Sequence, residues 1–194
     1  MRSKKTSDKN LKKLIEGNKR YVESKPVHPN QTAKRRKEIT KGQKPFAIIV
    51  GCSDSRVPPE ILFDQGLGDL FIIRVAGNIV DDVALGSIEY AADHLGTKLI
   101  VVLGHGKCGA VSATVKGGEV HGHIGSIVKK IAPAVKKAKG QPGDVTDNAI
   151  RNNIALVVKK IASSKPVIAG LIKKGELKVV GAYYNIDSGV VEII

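Results

Sequence analysis

Three side chains of metal-ligating type stand just past two short apolar runs. Cys52 follows FAIIVG (46–51) within Cys52-Ser53-Asp54-Ser55-Arg56, and KLIVVLG (98–104) runs directly into His105-Gly106-Lys107-Cys108. In open parallel sheets functional groups gather beyond the carboxyl ends of the strands, so two neighbouring strands here would deliver two thiols and an imidazole to one edge. A Cys2His set is a recognised ligand group for a catalytic zinc, with the fourth tetrahedral position left to water. An isolated Cys or His is more often a core filler or a satisfied polar group. Here three liganding residues converge, and the His-x-x-Cys spacing and the adjacent acid and base agree with a metal. A disulfide would need only the two cysteines and would explain neither His105 nor Asp54.

Asp54 and Arg56 lie two apart, which lets their side chains face the same way if the loop stays extended. A carboxylate paired to Arg keeps a low pKa, so it is a poor base near neutrality but can accept a hydrogen bond from a zinc-bound hydroxide and orient it. A surface ion pair is the common fate of this spacing; the position beside Cys52 argues for more. Gly104-His105-Gly106-Lys107-Cys108-Gly109 also satisfies G-x-G-x-x-G after a strand. The dinucleotide fingerprint needs a further strand ending in an acid about 20 residues on, and KGGEVHGHIGS supplies none.

The elements that must position these groups read as an α/β fold. FAIIVG, LFIIRV (70–75) and KLIVVLG are continuous apolar runs of the kind buried on both faces of a parallel sheet. DVALGSIEYAADHLG (82–96) between the last two has helical periodicity and a terminal glycine, completing a βαβ unit. Helices are expected at 109–116, 122–139, 146–163 and 165–174, with GQPGD as a turn. In the tail, LKVVGAYY and VVEII flank an Asn-Ile-Asp-Ser-Gly turn and predict a strand continuing into a hairpin. Upstream, Leu11, Leu14, Ile15 and Tyr21 fall at helical spacing over 9–24 after a capping candidate at Ser7 or Asp8, and a second helical stretch follows near 31–41. No linker separates domains: residues 1–194 are expected to form a single domain, with a basic helical arm (1–44) and an α/β core (45–194). The arm's apolar stripe must be covered by its own core or by a second subunit, and a second subunit is the expectation.

The chain of 194 residues is 42% hydrophobic and 26% charged, enough for one packed domain and against disorder. Its net charge of +14 raises nucleic acid as a partner, but residues 1–44 hold fifteen Lys and Arg against four Asp and Glu, a net of +11, leaving +3 for the rest. That arm has one aromatic, Tyr21, and the chain no Trp, so stacking platforms for single strands are missing. No nucleic acid partner is expected. No run reaches the length of a membrane span, and the charged N-terminus lacks a signal peptide's apolar stretch, giving a cytoplasmic expectation with a periplasmic mature chain, its export signal removed, as the alternative.

The set Cys-x-Asp-x-Arg followed by His-x-x-Cys, in this strand context, resembles the β-class carbonic anhydrases from the arm to the terminal hairpin. The resemblance implies Cys52, His105 and Cys108 as ligands of one Zn2+ per chain and Asp54 with Arg56 as the catalytic dyad. It implies a sheet of four parallel strands with an antiparallel edge strand, flanked by helices, and an obligate homodimer, tetramer or higher assembly left open, in which N-terminal helices wrap the partner. Gln43, nine residues before Cys52, falls where the plant-like (type I) branch has a substrate-binding glutamine, and the Trp of the bicarbonate-regulated branch is missing. Phe71 and Tyr90 match the aromatic wall of a substrate pocket shared across the dimer, Gly109 a backbone donor to bound anions, and Ala76 a position where many relatives carry a larger aliphatic. His94, four residues after Tyr90, matches a proposed proton relay, for which Tyr90 is a second candidate.

The implied activity is reversible hydration of carbon dioxide to bicarbonate and a proton, by attack of zinc-bound hydroxide oriented by Asp54. Two thiolates make the ion a weaker acid than three histidines do, so the rate should rise toward alkaline pH. The same ligands would serve hydrolysis of carbon disulfide or carbonyl sulfide. A nucleophilic Cys52 with Arg56 holding an anionic substrate, as in rhodanese-like and phosphatase sites, would leave His105 and Cys108 idle.

Overall fold

The computed structural model describes residues 2–194, with side chains described from residue 5. Five strands form one sheet: β1 (Ala47–Gly51), β2 (Leu70–Arg74), β3 (Leu99–His105), β4 (Lys178–Tyr184) and β5 (Val191–Ile193). They lie in the order β2-β1-β3-β4-β5, the first four parallel and β5 antiparallel to β4. This is the expected architecture of four parallel strands and an antiparallel edge. The chain leaves β1 to build β2 on one side, then crosses to build β3 on the other. That reversal opens a crevice beyond the carboxyl ends of β1 and β3, where α/β folds place ligands.

Burial separates the three apolar runs. β1 and β3 are buried throughout, as strands covered on both faces must be, whereas β2 is half-buried along most of its length. Its apolar pattern is that of an interior strand, yet it is the sheet's edge.

Helices α1 (Arg2–Val22), α2 (Ala33–Glu38), α3 (Pro59–Leu62), α4 (Asp82–Glu89), α5 (Gly109–Lys116), α6 (Ile124–Ala138), α7 (Val145–Ala162) and α8 (Val167–Lys173) complete the chain. Successive residues of a strand point to opposite faces, so neighbours on β4 locate the layers. The Tyr183 hydroxyl donates to Asp147 of α7 at 2.6 Å, while the Tyr184 hydroxyl meets that of Tyr21 of α1 at 3.3 Å; α7 and α1 thus cover opposite faces. Glycines let α7 come close: a Cβ on Gly104 of β3 would stand 2.5 Å from Ile154, and one on Gly181 of β4 would stand 2.8 Å from it. Ile154 fills the groove these two leave.

Four sequence expectations change. Helix α1 begins at Arg2, so neither Ser7 nor Asp8 caps it; Ser7 lies within the helix and is buried. Its own chain covers part of the apolar stripe that a second subunit was expected to cover: Leu14 is fully buried while Leu11, Ile15 and Tyr21 are half-buried, and the buried Asn18 donates to the carbonyls of Leu62 and Gly189 and accepts from the Val191 N–H. The helix expected over 82–96 changes form, since Tyr90–His94 is a π-helical turn closed by Leu95 N–H to the Tyr90 carbonyl. Finally, α3 appears where no helix was read; four residues are too few for periodicity, and Pro59 at its first position was the available signal.

Candidate metal centre

Cys52 is the first residue beyond β1, His105 the last of β3, and Cys108 precedes α5. The register, with Gly51 opposite Leu103, sets the two loops side by side. Within this crevice the ligating atoms of Cys52, His105 and Cys108 all lie within 4.8 Å of one another, and all three residues are buried. Both thiols are free, which removes the disulfide reading.

The donor chemistry fits a metal ion. His105 Nδ1 lies 2.9 Å from the Gly106 carbonyl; a carbonyl only accepts, so Nδ1 carries the proton and Nε2 a lone pair. Nε2 is buried and has no hydrogen-bond partner, an orphan that natural interiors rarely tolerate and that a cation between the thiols would satisfy. The thiols divide one proton between them. The hydrogen bond from Cys108 holds Cys52 far below the ordinary thiol range, helped by the N–H groups of Asp54 and Gly77 and opposed by burial. That bond and burial push Cys108 up. A thiolate at Cys52 and an imidazole lone pair are the forms a metal binds.

Asp54 and Arg56 meet through a turn, not an extended loop: the Val57 N–H donates to the Asp54 carbonyl at 3.1 Å, and the Arg56 N–H donates to Asp54 Oδ1 at 3.0 Å. The guanidinium then grips the carboxylate twice, Nε to Oδ1 at 2.9 Å and Nη2 to Oδ2 at 2.7 Å. Arg56 holds the carboxyl well below the usual range, so Asp54 is an acceptor at any neutral pH. Its Oδ2 stands 3.9 Å from His105 Nε2, at the mouth of the metal site. Arg56 Nη2 also donates to the Lys107 carbonyl at 3.2 Å, tying the two loops together.

The remaining residues divide into two groups. Near the donors, Ala76 opens the short turn Ala76–Asn78, whose Gly77 N–H donates to Cys52 Sγ at 3.2 Å, and Gly109 is the exposed first residue of α5, its N–H free of helical partners. Gln43, Phe71, Tyr90 and His94 are elsewhere. Phe71 pairs with Ile48, four residues short of Cys52, which at about 3.3 Å per residue is roughly 13 Å along the strand. Tyr90 packs on Phe71 at 6.3 Å between ring centroids and His94 on Tyr90 at 5.5 Å. Gln43, exposed, precedes β1 at the sheet's amino end. These four do not reach their own chain's donors.

Sequence reasoning missed the groups that hold the loops. Arg74, last residue of β2, donates from Nε to the Cys52 carbonyl at 2.7 Å and from Nη2 to the Asp54 carbonyl. These contacts act on backbone atoms, which residue types do not advertise.

A Cys2His cluster with an Asp–Arg pair, at the switch point of a parallel sheet, defines a β-class carbonic anhydrase architecture. The family model described as carbonic anhydrase matches residues 47–191. The chain is 41% identical over 182 residues to carbonic anhydrase 2 of Mycobacterium tuberculosis, covering 92% of this chain and 88% of that one, and 41% identical over 186 residues to the carbonic anhydrase of Mycolicibacterium smegmatis, covering 94% and 90%. Among solved structures it is similar to the Coccomyxa β-carbonic anhydrase in complex with acetazolamide, with a TM-score of 0.76, 27% identity and coverage of 95% and 86%. A tetrameric β-carbonic anhydrase of Sordaria macrospora matches with a TM-score of 0.72, 27% identity and coverage of 82% and 85%. The chain belongs to the carbonic anhydrase family, in its β class, and is by that membership an enzyme of carbon dioxide hydration. Among the described residues no helix is long and apolar enough to cross a membrane.

Proposed function

We propose that this chain hydrates carbon dioxide reversibly with one Zn2+ held by Cys52, His105 and Cys108, and with Asp54 and Arg56 orienting the attacking water. The observation that carries the reading is the buried, unpartnered Nε2 of His105 facing two free thiols. The chemistry Zn2+ supplies there when bound is Lewis acidity, which makes water a nucleophile near neutral pH. Asp54, kept ionised by Arg56, accepts a hydrogen bond from that water and turns a lone pair toward carbon dioxide; it does not take the proton. The Gly109 N–H, at the start of α5, donates to the bicarbonate oxygen.

The rest of the pocket comes from a second copy in a homodimer. Phe71 and Tyr90 form the apolar wall, Gln43 donates to substrate, and His94, with Tyr90 beside it, passes the proton to buffer. Support comes from their distance from their own donors and from the half-buried edge strand that carries Phe71. Stopped-flow carbon dioxide hydration by zinc-loaded protein across the neutral to alkaline range tests the whole reading. A rate above buffer that rises with pH and is lost to a strong chelator is expected; a rate untouched by chelation would overturn the metal assignment.

A further inference from the structure

The turn at residues 76–78 touches the centre through a peptide group. Gly77 has φ 70° and ψ 21°, a left-handed conformation, and Asn78 follows at φ 44°. Glycine is required twice over, since a Cβ would also stand 2.7 Å from Ile131 Cδ1. A glycine does not select one conformation by itself, because it populates many with little cost. The turn is closed on one side by the Asn78 N–H bond to the Val75 carbonyl at 2.8 Å. On the other, Asn153 of α7 donates from Nδ2 to the Gly77 carbonyl at 2.8 Å. Asn153 is 1% exposed, and this is its bond across 76 residues of sequence.

We propose that Asn153 is a positioning residue for the metal centre: by holding the Gly77 carbonyl it fixes the glycine so that its N–H is presented to the Cys52 sulfur. This rests on the metal assignment above. The bond from Gly77 N–H to a thiolate is charge-assisted; it draws electron density from the sulfur and fixes one of its lone-pair directions, leaving another for the ion. Partners of this kind, one bond removed from the metal, tune affinity and orientation. A side chain of α7, bonded to the carbonyl of Gly77, thereby sets the donor strength of a ligand that the amide of the same glycine meets.

The test is NMR of nitrogen-labelled protein loaded with a spin-active cadmium isotope in place of zinc. In the unaltered chain, scalar coupling from cadmium should appear at the Cys52 β-protons and, through the hydrogen bond, at the Gly77 amide proton. Asn153→Leu, of similar size but without a donor, should lose the Gly77 coupling while keeping that to Cys52, and should bind zinc about 10-fold or more weakly in chelator competition. Asn152→Ala is the control. It removes a buried amide of the same helix, bonded to Gln141 and Ala134, and should leave the Gly77 coupling and zinc affinity in place. Should Asn153→Leu fail to fold, Asn153→Ser, which is too short to reach the carbonyl, is read the same way. Coupling at Cys52 but none at Gly77 in the unaltered chain, or unchanged coupling and affinity in the Asn153 variants, would overturn the proposal and leave the metal site standing. No cadmium coupling at Cys52 would overturn both.

Discussion

Tyr184 lies opposite His105 in the β3–β4 ladder, and its hydroxyl meets that of Tyr21 in the N-terminal helix at 3.3 Å. The Gly106 N–H donates to the Tyr184 carbonyl at 2.9 Å, so one residue of β4 joins the His105 loop to α1. The basic N-terminal helix is therefore part of the support behind the Cys52–His105–Cys108 cluster.

Asn18 is where that support should fail first. Its side chain closes three backbone bonds, to Leu62, Gly189 and Val191, and Asn18→Ala leaves those groups without their partner. Urea denaturation should show a loss of about 3 kcal/mol, since each unmade bond at a buried group costs about 1–3 kcal/mol and water reaches part of this site. A loss within experimental error would mean that α1 is an appendage after all.

Asp54→Asn should separate binding from turnover. Asparagine keeps the shape but lacks the charge that Arg56 grips, and the three donors are untouched, so zinc content by atomic absorption should remain at one per chain. Hydration should fall at least 100-fold at saturating buffer, the scale of a lost orienting group. Intact zinc together with an intact rate would remove Asp54 from the mechanism.

Acid should release the segment between α1 and α2 before it releases the sheet. Burial raises the pKa of Asp64, but the Val27 N–H, the Arg20 guanidinium and the His28 N–H outweigh it and leave the group lowered. A carboxylate with a depressed folded pKa contributes stability that is fully present above its unfolded pKa, about 4, and is lost as pH falls through the folded value. Protection factors at the Val27 and His28 amides, taken against the intrinsic exchange rate at each pH, should fall below about pH 4, and Asp64→Asn should show low protection at every pH. Uniform protection in acid would show that the carboxylate does not hold this segment.

Mixed dimers test the shared pocket. A chain carrying Asp54→Asn combined with one carrying Phe71→Ala and Tyr90→Ala should form one intact site per heterodimer if, as proposed, each chain's donors face the other's wall. Activity should rise above that of either parent on mixing and reassociation. No rise would place the aromatic residues outside the pocket.

Much of this was readable from residue types. The continuous apolar character of β1 and β3 told of burial on both faces, and the donor residues at their ends told where to look; the structure brings Cys52, His105 and Cys108 together as their spacing required. The same logic could not separate β2 from β1, because an apolar run does not say whose surface covers it. Nor could it reach Arg74, Gly77 and Asn153, which act through carbonyls and amides that every residue has. The Gly77-Asn78 pair was a turn signal, but only the folded chain shows that the turn faces a sulfur. The cap expected at Ser7 or Asp8 failed because the preceding RSKKT is polar throughout and carries no periodicity to mark a helix already begun.

Strand β2 forms one edge of the sheet. Soluble proteins commonly defend such an edge with lysine, proline, a bulge or an overlying segment, because unpaired strand backbone recruits any other strand it meets. Leu70, Phe71, Ile72 and Ile73 carry no such guard, and the first charge is Arg74, turned to the loop carbonyls. A lone protomer is thus built for contact and poorly built for solitude. Dilution or overheating should end in precipitation rather than in quiet loss of activity, and gatekeeper charges placed along this strand should trade assembly for solubility.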